Sequence, residues 1–584
     1  MNDGAFAPEQ QEYLKGFMAG IEARRAAFGL PLAPGQAAPA DPNDLQRAAQ
    51  DQVVAAGGKL TPEEEAKRAR HPLDRFDEIS ALAAEGKFPR GTDVFLTKFH
   101  GLFYVAPAQN SFMCRLRIPG GILSATQLRG IGAIATDLAA GHADITTRAN
   151  FQIREIPAAN AAELLWRLTD LGLTSRGAGA DNVRNITASP TAGIDPQELV
   201  DTRPHSRAMH HFILNHRELY GLPRKFNIAY DGGGRVPVLE DTNDIAFSAV
   251  RVGEGAAVAP GVYFRLALGG ITGHRDFARP TGIVVALDDT LRVANAILRV
   301  FIREGDRTNR ARARLKYVLD RIGLDGFVAL VEQELGTPLS RVADEAILPR
   351  PAQDRMAHMG VHAQKQHGLN HIGVLCAGGR LTAAQLDGLA GVAERFGTAT
   401  IRLTVWQNLL ISDIADAAVA DAVTAISALG LRTQASAVRA GMVACTGNAG
   451  CKFAASDTKS HAARIADWID ARFDAPGPLN IHLTGCHHSC AQHLVADIGL
   501  LGAKIADGED SIEGYDLHVG GGAGAQQAIG RLIRPGIGFD DLLPAILALL
   551  RAWGDEMPDK SFMFWSATKS VAELAALVDE LVPA

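Results

Sequence analysis

The chain has 584 residues, 47% of them hydrophobic and 21% charged, an ordinary soluble composition with length enough for several cored domains. A net charge of −7 excludes a polycation that wraps nucleic acid. The opening MNDGAFAPEQ has no apolar core and is not a secretory signal, and no apolar run approaches a membrane span. No membrane or nucleic-acid partner is therefore expected, and the cytoplasm is the expected compartment.

Residues 8–28 carry Tyr13, Leu14, Phe17, Met18 and Ile21 at helical spacing. LPLAPGQAAPADP follows as a linker. Residues 43–87 are charged and Ala-rich, which predicts surface helices, with PEEEAKRAR a solvated face. Residues 1–94 thus read as a helical N-terminal extension. From Phe95 the character changes. LTKFHGLFYVAP reads as a strand and SFMCRLRIPGG as an alternating strand ending in a turn. SATQLRGIGAIATDL reads as a helix capped by Ser124, and ADITTRANFQIREI as a further strand.

The series returns at 370–414. Gly120-Gly121 before SATQL matches Gly378-Gly379 before LTAAQL, and Ile145–Ile153 resembles Ile401–Ile411. Near-constant spacing argues for duplication and a pseudo-twofold body with a ligand between its halves. Two independent α+β domains sharing a turn motif are the alternative. Between the copies, 180–350 is a mixed segment holding DNVRNITASP, LPRKFNIAYDGGG and EGDRTNRARARLKYVLDRIG. The last stretch is expected as a helix carrying Arg307, Arg310, Arg312, Arg314 and Lys316. Beyond the second copy, DIGLLGAK and YDLHVGGGAG read as strand–turn elements. LLPAILALL is a buried helix, and KSVAELAALVDELV closes the chain as an amphipathic helix.

Four cysteines carry the strongest chemical signal. Cys445 and Cys451 lie in ACTGNAGC, and Cys486 and Cys490 in TGCHHSC, both rich in small residues that let backbone close around a bulky inorganic group. Four thiolates are the ligand set of a [4Fe–4S] cluster. Structural zinc wants a shorter gap than the five residues between Cys445 and Cys451. Disulfides fit poorly where only Cys114 and Cys376 remain and no export signal exists. Four unconnected core cysteines stay open on the cysteines alone.

Arg115, Arg117, Arg148, Arg154 and Arg184 lie in or beside strands and turns, joined by Arg224 and Lys225. A buried arginine needs an anion, and its planar fork grips carboxylates two bonds at a time. One such residue reads as a surface ion pair; the set predicts a polyanionic ligand. GGGAGAQQAIG lacks the βαβ frame of a dinucleotide fingerprint and no Walker A sequence occurs, so electrons must come from another protein or subunit.

RLRIPGG, TTRANFQ, NVRNI, LPRKFN, DRTNRARARLKY, RLTVWQN, C-x5-C and TGC-x3-C followed by ADIGLLG together resemble the siroheme-dependent nitrite and sulfite reductases, from about Phe95 to the C-terminus. The resemblance implies an α+β fold of pseudo-twofold, duplicated architecture. Ferredoxin-like repeats are expected at 95–175 and 351–430, with mixed α/β cofactor-binding domains at 176–350 and 431–584. It implies that Cys445, Cys451, Cys486 and Cys490 hold a [4Fe–4S] cluster and that Cys490 bridges to siroheme, whose eight carboxylates meet the basic set. Arg115, Arg117, Arg148, Gln152, Arg184, Lys225, Arg307 and Gln407 are implied as siroheme contacts. Arg117, Arg184, Lys225 and Asn227 are implied around the substrate anion. Two positions depart from the family pattern. His487-His488 replaces the usual Pro-Asn, which leaves loop geometry and cluster potential open, and Asn227 stands where many sulfite reductases have a lysine. One cation fewer favours nitrite over sulfite.

The resemblance thus implies reduction of nitrite to ammonium by a monomer fed by ferredoxin or a separate flavoprotein. Sulfite reduction is the alternative. A precorrin-3B synthase-like enzyme, expected to be shorter, and a non-catalytic iron–sulfur electron carrier, which would need no anion pocket, are the remaining readings.

Overall fold

The computed structural model describes residues 7–27, 43–106 and 108–579. The Pro/Ala-rich linker lies outside them. The elements of the two repeats recur at a constant offset of 258 residues. Ser124 and Thr382 each cap a fourteen-residue helix, Ala125–Leu138 and Ala383–Phe396, and each helix carries a reciprocal Gln box (Gln127 and Gln385). Left-handed backbone recurs at the same offset, at Ala149 and Gln407 and at Glu155 and Asp413.

The repeats do not stand apart. The first sheet runs Leu102–Val105, Ser111–Arg115, Phe151–Ile156, His142–Ile145, and is completed by Arg380–Thr382 from the second repeat. The second runs Gly360–Ala363, Leu369–Val374, Leu409–Ala415, Thr400–Leu403, and is completed by Ile122–Ser124 from the first. Each repeat thus lends a strand to the other, and one hydrophobic core spans both. Gly121 and Gly379 make the crossing possible. Both have φ above +70°, and a Cβ would lie 2.7 Å from the Leu403 carbonyl oxygen at the first and 2.5 Å from that of Ile145 at the second.

The two mixed domains also share a topology. Thr187–Ala188, Ile228–Asp231 and Ile245–Val252 pair in parallel, then Gly261–Leu268 and Arg279–Val285 continue antiparallel. Met442–Ala444, Ile481–Thr484 and Ile498–Asp507 repeat the parallel run, and Asp510–Val519 and Arg531–Gly538 the antiparallel one. Helix Phe539–Glu556 buries Leu542, Leu549, Leu550 and Trp553 against the second sheet.

Three expectations give way. Only Leu102–Val105 of LTKFHGLFYVAP is a strand; Asp93–Leu96 and Thr97–His100 are helical turns that tuck Phe99 beside Leu96 and Ala180. The basic stretch after Gly305 holds only a 3-10 turn, Arg310–Arg312, and is not α-helical until Leu315–Ile322. Its arginines go to separate carboxylates, Arg307 to Glu64, Arg310 to Asp181 and Arg314 to Asp244, and an irregular backbone fans them apart. The helix Pro62–Ala69 is not a solvated face: Glu64 is 1% and Lys67 8% exposed. Upstream, helix Pro8–Ala27 packs on Arg203–Asn215, where the Asn215 amide donates to the Glu12 carbonyl.

Candidate functional site

A cavity of about 440 Å³ lies between the repeats and the mixed domains. One end is thiol. Cys445 directly follows strand Met442–Ala444, and Cys486 lies two residues past Ile481–Thr484. Both therefore sit at the carboxyl ends of neighbouring parallel strands, where open α/β sheets place ligands. Cys451 and Cys490 follow in turns, and all four line the cavity. The Gly485 amide donates to Cys445 Sγ at 3.2 Å, and the Thr458 hydroxyl donates to the Cys445 carbonyl at 2.8 Å. Any larger residue at Gly485 would press on Ala454, since its Cβ would fall 2.6 Å from that of Ala454. His488 Nδ1 lies 3.3 Å from Cys486 Sγ.

Burial, with the neighbouring Cys445 next, pushes the Cys490 thiol up to about 11, against the pull of Lys225. The exposed surface of Cys490 is cavity surface, which reconciles its exposure with its desolvation. Burial also raises Cys486, with Cys451 and Cys445 adding to it against a hydrogen bond at His488. Four thiolates so placed repel one another unless cations lie among them, which an iron–sulfur cluster supplies. Among the described residues no three His, Cys, Asp or Glu side chains form a site for a single metal ion.

The other walls are cationic. Lys98, Arg115, Arg148, Arg154, Arg184, Lys225, Lys452 and Lys459 line the cavity. Their hydrogen bonds are incomplete. Arg148 donates to the Asn185 carbonyl at 2.7 Å and to Asn243 Oδ1 at 2.8 Å, leaving Nε without a partner. Arg184 Nη2 donates to the Ala180 carbonyl at 2.7 Å, and Nη1 has no partner. Arg154 reaches the Gly450 carbonyl and Gln152, and its Nε is likewise unpaired. The Arg115 guanidinium lies over the Phe103 ring at 4.6 Å. Burial pulls Arg148 down to about 9, and burial with the Arg314 and Arg184 charges pulls Lys225 down to about 7. Cations crowded out of water with unpaired N–H groups demand an anion with many acceptors. A tetrapyrrole bearing carboxylates fits that demand.

The structure brings most of the expected residues to this cavity and leaves two elsewhere. Arg115, Arg148, Gln152, Arg184, Lys225, Asn227 and Gln407 line it with the four cysteines. Arg117 does not; its Nη1 donates to the Val183 carbonyl at 2.6 Å and its Nε faces His210. Arg307 does not; it is spent on Glu64 and Gln46 in the N-terminal extension. Gln407 is committed to backbone, joining the Ile145 carbonyl to both backbone groups of Ala444, next to Cys445. Sequence reasoning missed Lys98, Lys452 and Lys459. The last is held by Asp144, whose carboxylate also takes Arg380. Lysine near a cysteine motif carries no distinctive pattern, so only the fold could find them.

The family domain described as nitrite and sulphite reductase 4Fe-4S domain matches residues 179–339 and 435–574, and the nitrite/sulfite reductase ferredoxin-like half domain matches 106–171 and 362–429. The chain belongs to the nitrite and sulphite reductase family. A ferredoxin–nitrite reductase of Synechococcus elongatus is 36% identical over 510 residues, spanning 85% of this chain and 98% of that one. A ferredoxin sulfite reductase of Mycolicibacterium paratuberculosis is 35% identical over 72% of this chain and 76% of that one. The solved structure of the Mycobacterium tuberculosis NirA protein superposes with a TM-score of 0.82 at 30% identity, covering 89% of this chain and 99% of that one. The cofactors of this reductase family, a [4Fe–4S] cluster and siroheme, are those that the thiol end and the cationic walls fit. Among the described residues no helix is long and apolar enough to cross a membrane.

Proposed function

We propose that this family member reduces nitrite to ammonium with electrons from ferredoxin, and that Arg115, Arg184, Lys225 and Asn227 hold the anion. The observation that carries the reading is the cavity itself: these four residues and Cys490 line one space, with Arg184 Nη1 left without a partner there. Bound siroheme and cluster would relay the donor's six electrons, one at a time, to the anion. The protein's part is to bind and orient. Cationic donors in a desolvated site gain strength as negative charge gathers on the anion's oxygens. Lys225 Nζ, whose acidity is shifted toward neutral by burial, can hold or release a proton beside those oxygens.

Asn227 favours nitrite. Its backbone N–H is fixed by Asp244 at 2.8 Å, and its side chain is an uncharged amide where a lysine would add a charge. The similarity to the Synechococcus elongatus enzyme supports the same choice, and the similarity to the Mycolicibacterium paratuberculosis enzyme keeps sulfite as the second reading. Coverage of 98% of the former's length does not favour the shorter precorrin-3B synthase-like alternative. One chain completes the cavity, which supports a monomer as the working unit, and an iron–sulfur site with two further buried, unpaired cysteines, Cys114 and Cys376, suits a reducing, cytoplasmic compartment.

Steady-state kcat/KM for nitrite and sulfite, with a one-electron dye as donor and ammonium and sulfide quantified, tests the reading. Preference for nitrite is expected, and Asn227→Lys is expected to move the ratio toward sulfite. A wild-type preference for sulfite would overturn the substrate choice. An unchanged ratio in the variant would remove Asn227 from it.

A further inference from the structure

The N-terminal extension reaches the segments that carry the anion residues through a buried lysine. Lys67, from helix Pro62–Ala69, donates to the Leu222 carbonyl at 3.0 Å and the Gly221 carbonyl at 3.3 Å. Its Nζ also lies 3.3 Å from the Asp181 carboxylate and pairs with Glu64. Asp181 is fully buried, and Arg310 binds it through two nitrogens at 2.7 and 2.9 Å. Glu64 is in turn held by Arg307 at 2.7 Å and Gln50 at 3.0 Å.

These contacts fall on two segments that carry the anion residues. Asp181 lies three residues before Arg184, and Leu222 three before Lys225. The segments are laced by backbone. The Gly221 amide donates to the Asp181 carbonyl at 3.1 Å, the Phe226 amide to the Asn182 carbonyl at 3.0 Å, and the Arg184 amide to the Phe226 carbonyl at 2.8 Å. Residues 221–225 contain no helix or strand, and the first regular pairing after them is the bridge of Phe226 with Val183. An ammonium with several acceptors around it fixes such a loop, and its removal leaves buried carbonyls without a donor.

We propose that Lys67 is a positioning residue for the anion site, clamping the Gly221–Leu222 carbonyls and the Asp181 carboxylate so that Lys225 and Arg184, on adjacent paired segments, keep their places on the cavity wall. The N-terminal extension is then a part of substrate binding rather than a surface cap. The inference rests on the anion-site reading above.

Lys67→Met in the holoenzyme tests it, with two readouts. Nitrite KM is expected to rise about tenfold while kcat stays within about twofold, the signature of lost binding rather than lost chemistry. Amide hydrogen exchange at Gly221 and Phe226 is expected to quicken, in the cofactor-free protein as well. Lys67→Gln keeps a donor for the carbonyls and is expected to fall between wild type and Lys67→Met on both readouts. It carries the test alone if the methionine variant does not fold. Wild-type KM together with wild-type exchange would overturn the inference. So would a fall in kcat and melting temperature with exchange at Gly221 and Phe226 unchanged, which marks a merely structural residue. Lys225→Met serves as the comparator. If it leaves nitrite KM unchanged, the anion-site reading fails; if it raises KM and Lys67→Met does not, the clamp alone fails.

Discussion

Arg115 and Arg117 stand two positions apart, yet only Arg115 reaches the cavity. The strand Ser111–Arg115 ends there, and the Arg117 amide turns to the Thr174 carbonyl, which swings its side chain toward Val183 and His210. Arg115→Met is expected to raise nitrite KM about tenfold or more with the melting temperature nearly unchanged. Arg117→Met leaves the Val183 carbonyl without its donor and is expected to lower stability by about 1–3 kcal/mol with KM kept. Calorimetry and kinetics on the pair check both. Asp144 offers a pH test. Burial would raise its pKa, but the Lys459 and Arg380 charges outweigh this and hold it at about 2. A folded pKa below the unfolded 3.8 gives stability above pH 3.8 that is lost as the pH falls toward 2. The stability gap between wild type and Asp144→Asn, about 2 kcal/mol for a shift of this size, should close over that window in pH-dependent denaturation.

Elements were legible where pattern and cap coincide. Ser124 before SATQL marks a helix start, and the structure gives a complete capping box there and at Thr382. The cysteine pairs and most cavity arginines were readable because their residue types have few other uses in strands and turns. The stretch 305–314 was not, because basic residues at close spacing look alike whether they share a helix or fan toward separate carboxylates. Glu64 and Lys67 were not, because PEEEAKRAR has a solvated composition and only tertiary partners bury it. The strand exchange was invisible too: IPGGILS and CAGGRLT reveal a turn, not whose sheet the next strand joins. That turn can be probed. Gly379→Ala forces a Cβ against the Ile145 carbonyl at positive φ, and a loss of about 2 kcal/mol or more is expected by chemical denaturation. Gly121→Ala should do the same on the other side.

At the scale of the whole molecule, the duplication makes one site from two halves. Most of the basic groups come from the first half, while the second supplies the four cysteines together with Lys452 and Lys459. At the 258-residue offset, Trp406 stands where Arg148 stands in the first repeat, and it is 2% exposed among Val236, Ala357 and Val443. The second repeat thus fills with an indole the place where the first offers a guanidinium. Residues 1–350 expressed alone are expected to be insoluble or unfolded, and to copurify as a folded complex when made together with 351–584. A fragment 1–350 in which the first repeat is as protected from hydrogen exchange as in the whole chain would contradict the shared core.

The exchanged strand Ile122–Ser124 has a further consequence, for the protein as it is made. Its partner, Thr400–Leu403, leaves the ribosome only after some 280 more residues have been added. At roughly 5–20 residues per second, that edge waits for tens of seconds. Until then the nascent chain presents an unpaired β-edge beside half of a hydrophobic core, the kind of surface that chaperones occupy and that other nascent chains can join. A slow stretch of translation between the repeats would lengthen that exposure and a fast one would shorten it, so the yield of folded enzyme is tied to the pace of synthesis across residues 125–400.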